Sequence, residues 1–149
     1  MDLRKVFDDL VRFETDLWNG IDARLRHDGD LPLGSLNVML VVARTQACRV
    51  NDIAAALSIT IGGASQAVDR LEKRGLCTRQ PNPDDRRSSI VQLTAAGREL
   101  TESAGRIFDE ELAARLGGPL SASALGHLGT ALATLRAATP HSASPGEKP

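Results

Sequence analysis

Aromatic residues are nearly missing from this sequence, which holds three phenylalanines, one tryptophan and no tyrosine. Its core must therefore be built from leucine, valine, isoleucine and alanine. At 149 residues the chain has the length of one ordinary domain, long enough to bury such a core. No run of about 18 apolar residues occurs, which argues against a membrane span. The opening "MDLRKVFDDLVRFE" is charged throughout and lacks the apolar centre of a secretion signal. Cysteine is scarce as well. Cys48 and Cys77 lie 29 positions apart without CxxC spacing, so neither a disulfide framework nor a zinc ribbon is suggested. His27, His127 and His141 form no ligand spacing. A nucleophile–base pair is missing too, and "GGAS" lacks the spacing of a phosphate-cradling loop. These absences point to a soluble, cytoplasmic protein that is not an enzyme and holds no metal or cofactor.

What is present is an uneven charge. The formal net charge is −1, yet residues 44–98 carry nine Arg and Lys against five Asp and Glu, and the remainder nine against fourteen. A positive middle between negative ends suits a polyanionic partner.

Apolar residues at Leu3, Val6, Phe7, Leu10, Leu17, Trp18, Ile21 and Leu25 mark one long amphipathic helix. "GDLP" breaks it, and Pro32 suits the first turn of a second helix carrying Leu33, Leu36, Met39, Leu40 and Ala43. The link "ACRV" has room for a brief strand. Two short helices follow, "NDIAAALS" and "IGGASQAVDRLEKRG". Thr60 is the expected N-cap of the second, Ile61, Ala64, Val68 and Leu71 its apolar stripe, and Gly75 its stop. Together they read as a helix-turn-helix. "LCTRQ" and "SIVQL" then read as two strands joined by a loop rich in Pro and Asp. Thr94 and Ser121 cap two further helices, with Leu100, Ala104, Ile107, Phe108, Leu112 and Leu116 on the first and Leu125, Leu128, Leu132 and Leu135 on the second. The tail over 139–149 has no periodicity and reads as disordered. The fold class is mainly α with a small β-hairpin: a winged helix-turn-helix over about 31–94, between long helices over about 1–30 and 95–138.

On the second short helix the apolar stripe leaves Gly62, Gly63, Ser65, Gln66, Asp69, Arg70 and Lys73 outward. Ser65 and Gln66 are suited to base edges, and Gln pairs well with adenine. Arg70, Lys73, Arg74 and Arg79 are candidate phosphate contacts, which supply affinity and salt dependence rather than sequence choice. An ordinary solvated face is the bland alternative for each. Two glycines cost about 1 kcal/mol apiece inside a helix. Close approach of DNA phosphates to the backbone accounts for that, and so does a frayed first turn.

The run "VDRLEKRGLCTRQPNPDDRRSSIVQLTAAG", residues 68–97, resembles the MarR family of winged-helix transcription regulators. The similarity rests on Asp69-Arg70-Leu71-Glu72, Gly75-Leu76, Arg79, Pro83, Asp85-Arg86-Arg87, and Leu93-Thr94 with Gly97. It implies a homodimer, joined through its N- and C-terminal helices, that binds double-stranded DNA at a pseudo-palindromic operator and represses until an effector releases it. It also implies that Arg87 at the wing tip enters the minor groove. Residues two apart in an extended segment share a side, which places Asp85 to orient Arg87 through a charge-assisted hydrogen bond. Arg86 then faces back towards the recognition helix, with Asp69 its expected partner, and Ser88 lies beside a phosphate. By the same resemblance Arg12, Trp18, Ile21, Leu36, Met39 and Leu40 are expected to line a site for a small aromatic or phenolic acid, with dimer-core packing as the plain alternative. Two other readings stay open. One is a winged helix used for protein–protein contact, and the other an oxidant sensor acting through Cys48 or Cys77. Against the second, the first helix has no cysteine and the chain no tyrosine.

Overall fold

A computed structural model of the chain describes residues 1–140. It contains six α-helices and one hairpin: α1 (Leu3–Gly29), α2 (Leu33–Arg44), α3 (Val50–Leu57), α4 (Ile61–Lys73), β1 (Cys77–Pro81), β2 (Ser89–Leu93), α5 (Ala95–Leu112) and α6 (Ala122–Ala138), with a π-helical turn at Ala113–Gly117. The expected mainly helical winged-helix class is what forms. Two compact units result, one from Met1 to Asp109 and one from Glu110 onward. No helix among the described residues is long and apolar enough to cross a membrane. The expected disordered tail falls, apart from Thr139 and Pro140, outside the described residues.

In the first unit the helix ends are set by short polar side chains. Asp2 accepts the Arg4 N–H at 3.0 Å and starts α1. Asp30, left-handed at φ 48°, ends it. Pro32 stands one position before α2, at its N-cap, rather than inside its first turn. Asp22 reaches from α1 to cap α2 instead, accepting the Leu33 N–H at 2.8 Å. The turn between α3 and α4 opens on Ser58, also left-handed, and closes on Thr60, whose Oγ1 accepts the Gly63 N–H at 3.0 Å. After α4, Gly75 takes φ 71° and sends the chain into β1.

Leu25, Leu31, Leu36, Met39, Ile53, Val68, Leu71 and Val91 form the sealed centre, drawn from α1, the α1–α2 link, α2, α3, α4 and β2. An aliphatic core replaces the missing aromatics, as the composition requires. The hairpin is antiparallel, with Cys77 opposite Leu93 and Arg79 opposite Val91. The brief strand allowed for in "ACRV" appears as a single bridge from Arg49 to Ile90, reinforced by the Val91 N–H donating to the Cys48 carbonyl at 2.7 Å. Thr94 ties the far end of the hairpin to the end of α4. Its hydroxyl donates to the Gly75 carbonyl at 2.6 Å while accepting the Gly97 N–H at 3.0 Å as the cap of α5.

In the second unit Ser121 caps α6 as expected, accepting the Ala124 N–H at 3.2 Å. No residue of α6 is buried, although its sequence is mostly Ala and Leu.

Candidate nucleic-acid interface

Helix α4 buries Ala64, Val68 and Leu71 and turns the opposite face to solvent. Gly62, Gln66, Asp69, Arg70 and Lys73 are exposed there, and Ser65 is half-buried. Ile61 departs from its expected place in the apolar stripe: it is 51% exposed, at the first position of the helix, before the buried stripe begins. A Cβ on Gly62 would meet nothing within 4 Å, so the packing does not demand a glycine there.

Arg79 also departs from expectation. Strand β1 leaves the end of α4 and runs back beside it, which carries Arg79 to the helix. Its side chain is only 24% exposed. Nη1 donates to Asp69 Oδ1 at 2.7 Å and to Glu72 Oε1, and Nη2 donates to the Ser65 carbonyl and Ser65 Oγ, each at 3.2 Å. Partial burial works against the cation, but its hydrogen bonds to the Asp69 and Glu72 carboxylates outweigh it and raise the pKa further. Arg79 is thus an internal strut between wing and helix, with both Nη groups occupied, rather than a phosphate contact. The expected Asp69–Arg86 pair is not formed, because Arg79 holds Asp69 from a neighbouring strand. Glu72, quoted for the family resemblance but given no role, completes this network. Arg74 is occupied in the same way, donating to the Asp30 carbonyl at 2.9 Å.

The loop over residues 82–88 is organised by Asn82, which the sequence reading passed over. Asn82 Oδ1 accepts the Asp84 N–H at 3.0 Å, and its Nδ2 donates to Ser88 Oγ at 3.0 Å. Asp85 Oδ1 accepts the backbone N–H of Arg87 at 2.9 Å. Asp85 therefore shapes the backbone at Arg87 and does not bind its guanidinium, since the segment turns here and is not extended. Ser88 Oγ is engaged within the loop, near the Asp85 carbonyl at 3.5 Å. Among the described residues Arg70, Lys73, Arg86 and Arg87 are exposed, and their side chains have no hydrogen-bond or ion-pair partner.

The six expected effector-lining residues are not gathered together. Ile21, Leu36 and Met39 are buried in the core. Arg12 is exposed and pairs with Asp8 at 2.8 Å. Trp18 is open to solvent on α1. Leu40 lines a groove of about 540 Å³ with Ala43 and Leu93 and with Arg98, Glu102, Arg106 and Asp109 at its polar edge. Both cysteines are buried. Burial and then the Asp52 charge push the Cys48 thiol up. Burial, then Glu72 and Cys48, push Cys77 up to about 11 against the smaller pull of Arg79.

A helix-turn-helix followed by a two-stranded wing, with unpaired cations on the outer helix and the wing loop, defines a winged-helix protein. Residues 31–89 match the model of the MarR family. An uncharacterized HTH-type transcriptional regulator of Bacillus subtilis, YfiV, is 32% identical over 79 residues. That match takes in 53% of this chain and 45% of the relative, so the chain spans less than half of the relative's length. Among solved structures, the MarR family regulator Sco3205 of Streptomyces coelicolor, in complex with DNA, is similar with a TM-score of 0.86 at 23% identity, over 95% of this chain and 91% of that one. The transcriptional repressor CouR bound to a 23-mer DNA duplex is similar with a TM-score of 0.80 at 25% identity, over 91% of this chain and 98% of that one. CouR from Rhodococcus jostii has also been solved with p-coumaroyl-CoA, at 22% identity and a TM-score of 0.77, over 87% of this chain and 90% of that one.

Proposed function

We propose that the chain is a DNA-binding transcription regulator that acts as a homodimeric repressor and is released from a pseudo-palindromic operator by a small aromatic effector. The observation that carries DNA binding is the set of unpaired cations. Arg70 and Lys73 lie on α4, Arg86 and Arg87 on the wing loop, and all are held outward on ordered backbone without a protein partner. A helix of this kind enters the major groove, and a wing arginine suits the minor groove. Fluorescence anisotropy on the gene's upstream region tests the reading: R87A is expected to weaken binding and to lower the salt slope by about one. Unchanged affinity and slope would remove Arg87 from the interface.

Two apolar surfaces support the homodimer. The first half of α1 exposes Leu3, Val6, Phe7, Leu10 and Phe13, and α6 exposes Leu132 and Leu135. Water-exposed surfaces of this extent usually mark an interface. Light scattering with size exclusion is expected to report twice the chain mass. For the effector, the groove beside Leu40 offers an apolar floor, with Arg98, Arg106, Glu102 and Asp109 at its edge and Arg106 paired to Glu102 at 3.3 Å. Release of bound DNA by small aromatic acids, followed with Trp18 fluorescence, tests this. The protein-contact reading of the wing is less favoured, because the exposed wing loop is polar and carries two unpaired arginines. Oxidant sensing is less favoured because both thiols are buried and raised, which opposes the reactive thiolate.

A further inference from the structure

We propose that Ile61 and Ser65, one helical turn apart on α4, form a paired sequence reader: Ile61 meets a thymine 5-methyl group, and Ser65 donates a hydrogen bond to an acceptor on a neighbouring base edge. The inference rests on the DNA-binding reading above and deepens it. Positions i and i+4 lie on one face of a helix, about 6 Å apart. Among the described residues of the first unit, large apolar side chains open to solvent are confined to the N-terminal stretch from Met1 to Trp18 and to Ile59 and Ile61, 41% and 51% exposed. This pair therefore stands apart from the apolar face of α1. It flanks the N-cap of the helix whose other outward residues are polar and cationic. A branched apolar group in a major-groove helix has one specific apolar feature to meet there, the thymine methyl.

Ser65 is set up as a donor by Arg79. Serines and threonines within helices commonly donate to a carbonyl of the preceding turn. Thr101 does so to Gly97 at 2.7 Å, and Thr134 to Thr130 at 2.9 Å. The Ser65 hydroxyl makes no such bond. It accepts from Arg79 Nη2 at 3.2 Å, so the guanidinium occupies an oxygen lone pair and turns the hydrogen away from itself. Asp69 and Glu72 hold Arg79 in that position. The hydroxyl hydrogen is thus left for an outside acceptor, such as the N7 or O6 of guanine, the N7 of adenine or the O4 of thymine. Arg79 is accordingly a positioning residue, acting through Ser65.

The test begins with duplexes selected from a randomised library by the wild-type chain, then resynthesised with single deoxyuridines in place of thymines. Deoxyuridine keeps every hydrogen-bonding group and lacks only the methyl. One such replacement is expected to weaken wild-type binding about fourfold, the worth of one buried methyl. I61A should bind thymine and uracil duplexes alike. S65A should relax base preference at a nearby position, and R79M should relax that same position rather than lower affinity uniformly. Ile61 is exposed and Ser65 half-buried, and circular dichroism checks that all three variants fold. If wild type binds selected duplexes but tolerates uracil at every position, the Ile61 assignment is overturned while DNA binding stands. If S65A leaves the base profile unchanged, the serine half falls in the same way. If no duplex is enriched at all, the DNA-binding reading itself fails and takes this inference with it.

Discussion

Asp22 accepts the backbone N–H of Leu33 at 2.8 Å, so a side chain in the middle of one helix serves as the cap of the next. Pro32, at the N-cap position, offers no side-chain acceptor for that N–H. Arg26 donates to the same carboxylate at 2.8 Å from one turn further along α1. Partial burial tends to raise the Asp22 pKa, but the Leu33 and Arg26 hydrogen bonds together bring it below its ordinary value.

D22A is therefore expected to cost about 1 kcal/mol at neutral pH, the usual worth of a cap. A carboxylate lowered in the folded state stabilises above its unfolded pKa, and that contribution is lost as pH falls through the lowered one. The gap between wild type and D22A in urea denaturation should be full above about pH 4 and should close in stronger acid. A gap that stays constant down to acid would contradict the cap assignment.

Gly97 is required by its neighbour. A Cβ there would sit 2.0 Å from the Leu76 carbonyl oxygen, a backbone atom already bound by the Thr94 N–H at 3.0 Å. G97A should destabilise by about 2 kcal/mol or more through forced backbone displacement. Thermal melting would show this as a drop of several degrees.

Gly62 is the opposite case. Alanine has open space there and a better helix propensity, so G62A should gain about 0.5–1 kcal/mol of stability. If DNA phosphates approach this turn closely, the same variant binds DNA less tightly. Stability and anisotropy measured together give the answer, and a stabilised variant with unchanged affinity would leave fraying as the account of the glycines.

The thiols should be silent in the native protein. With Cys77 pushed to about 11 and Cys48 raised, both buried, a disulfide-exchange reagent at pH 8 should label neither until urea is added. Rapid labelling of the folded chain would reopen the oxidant-sensing alternative.

Much of this architecture was legible because it is local. The caps at Thr60, Thr94 and Ser121, the stop at Gly75 and the alternation of "SIVQL" each depend on a few adjacent residues. The errors concern residues whose partners lie elsewhere in the chain. Arg79 reads as a surface cation until β1 is seen to return beside α4, ten positions from Asp69. Asp85 and Arg87 look like an i, i+2 pair only in an extended segment, and Asn82 bends that segment into turns. Ile61 fits the helical period of the stripe, yet it precedes the first turn that reaches the core. The expected effector set mixed core positions such as Leu36 with the solvent-facing Arg12, because periodicity tells which face is apolar and not what covers it.

The wing loop has a consequence of a different kind. Asn82, Asp84, Asp85, Arg87 and Ser88 bond to one another through side chains and backbone, and none of those bonds leaves the segment. Arg79 and Thr94 secure the hairpin at its base. The tip is thus a self-folding cassette mounted on a fixed stem. Substitutions within it leave the bonds at its base intact, so the tip can change in charge while the helices below keep their places.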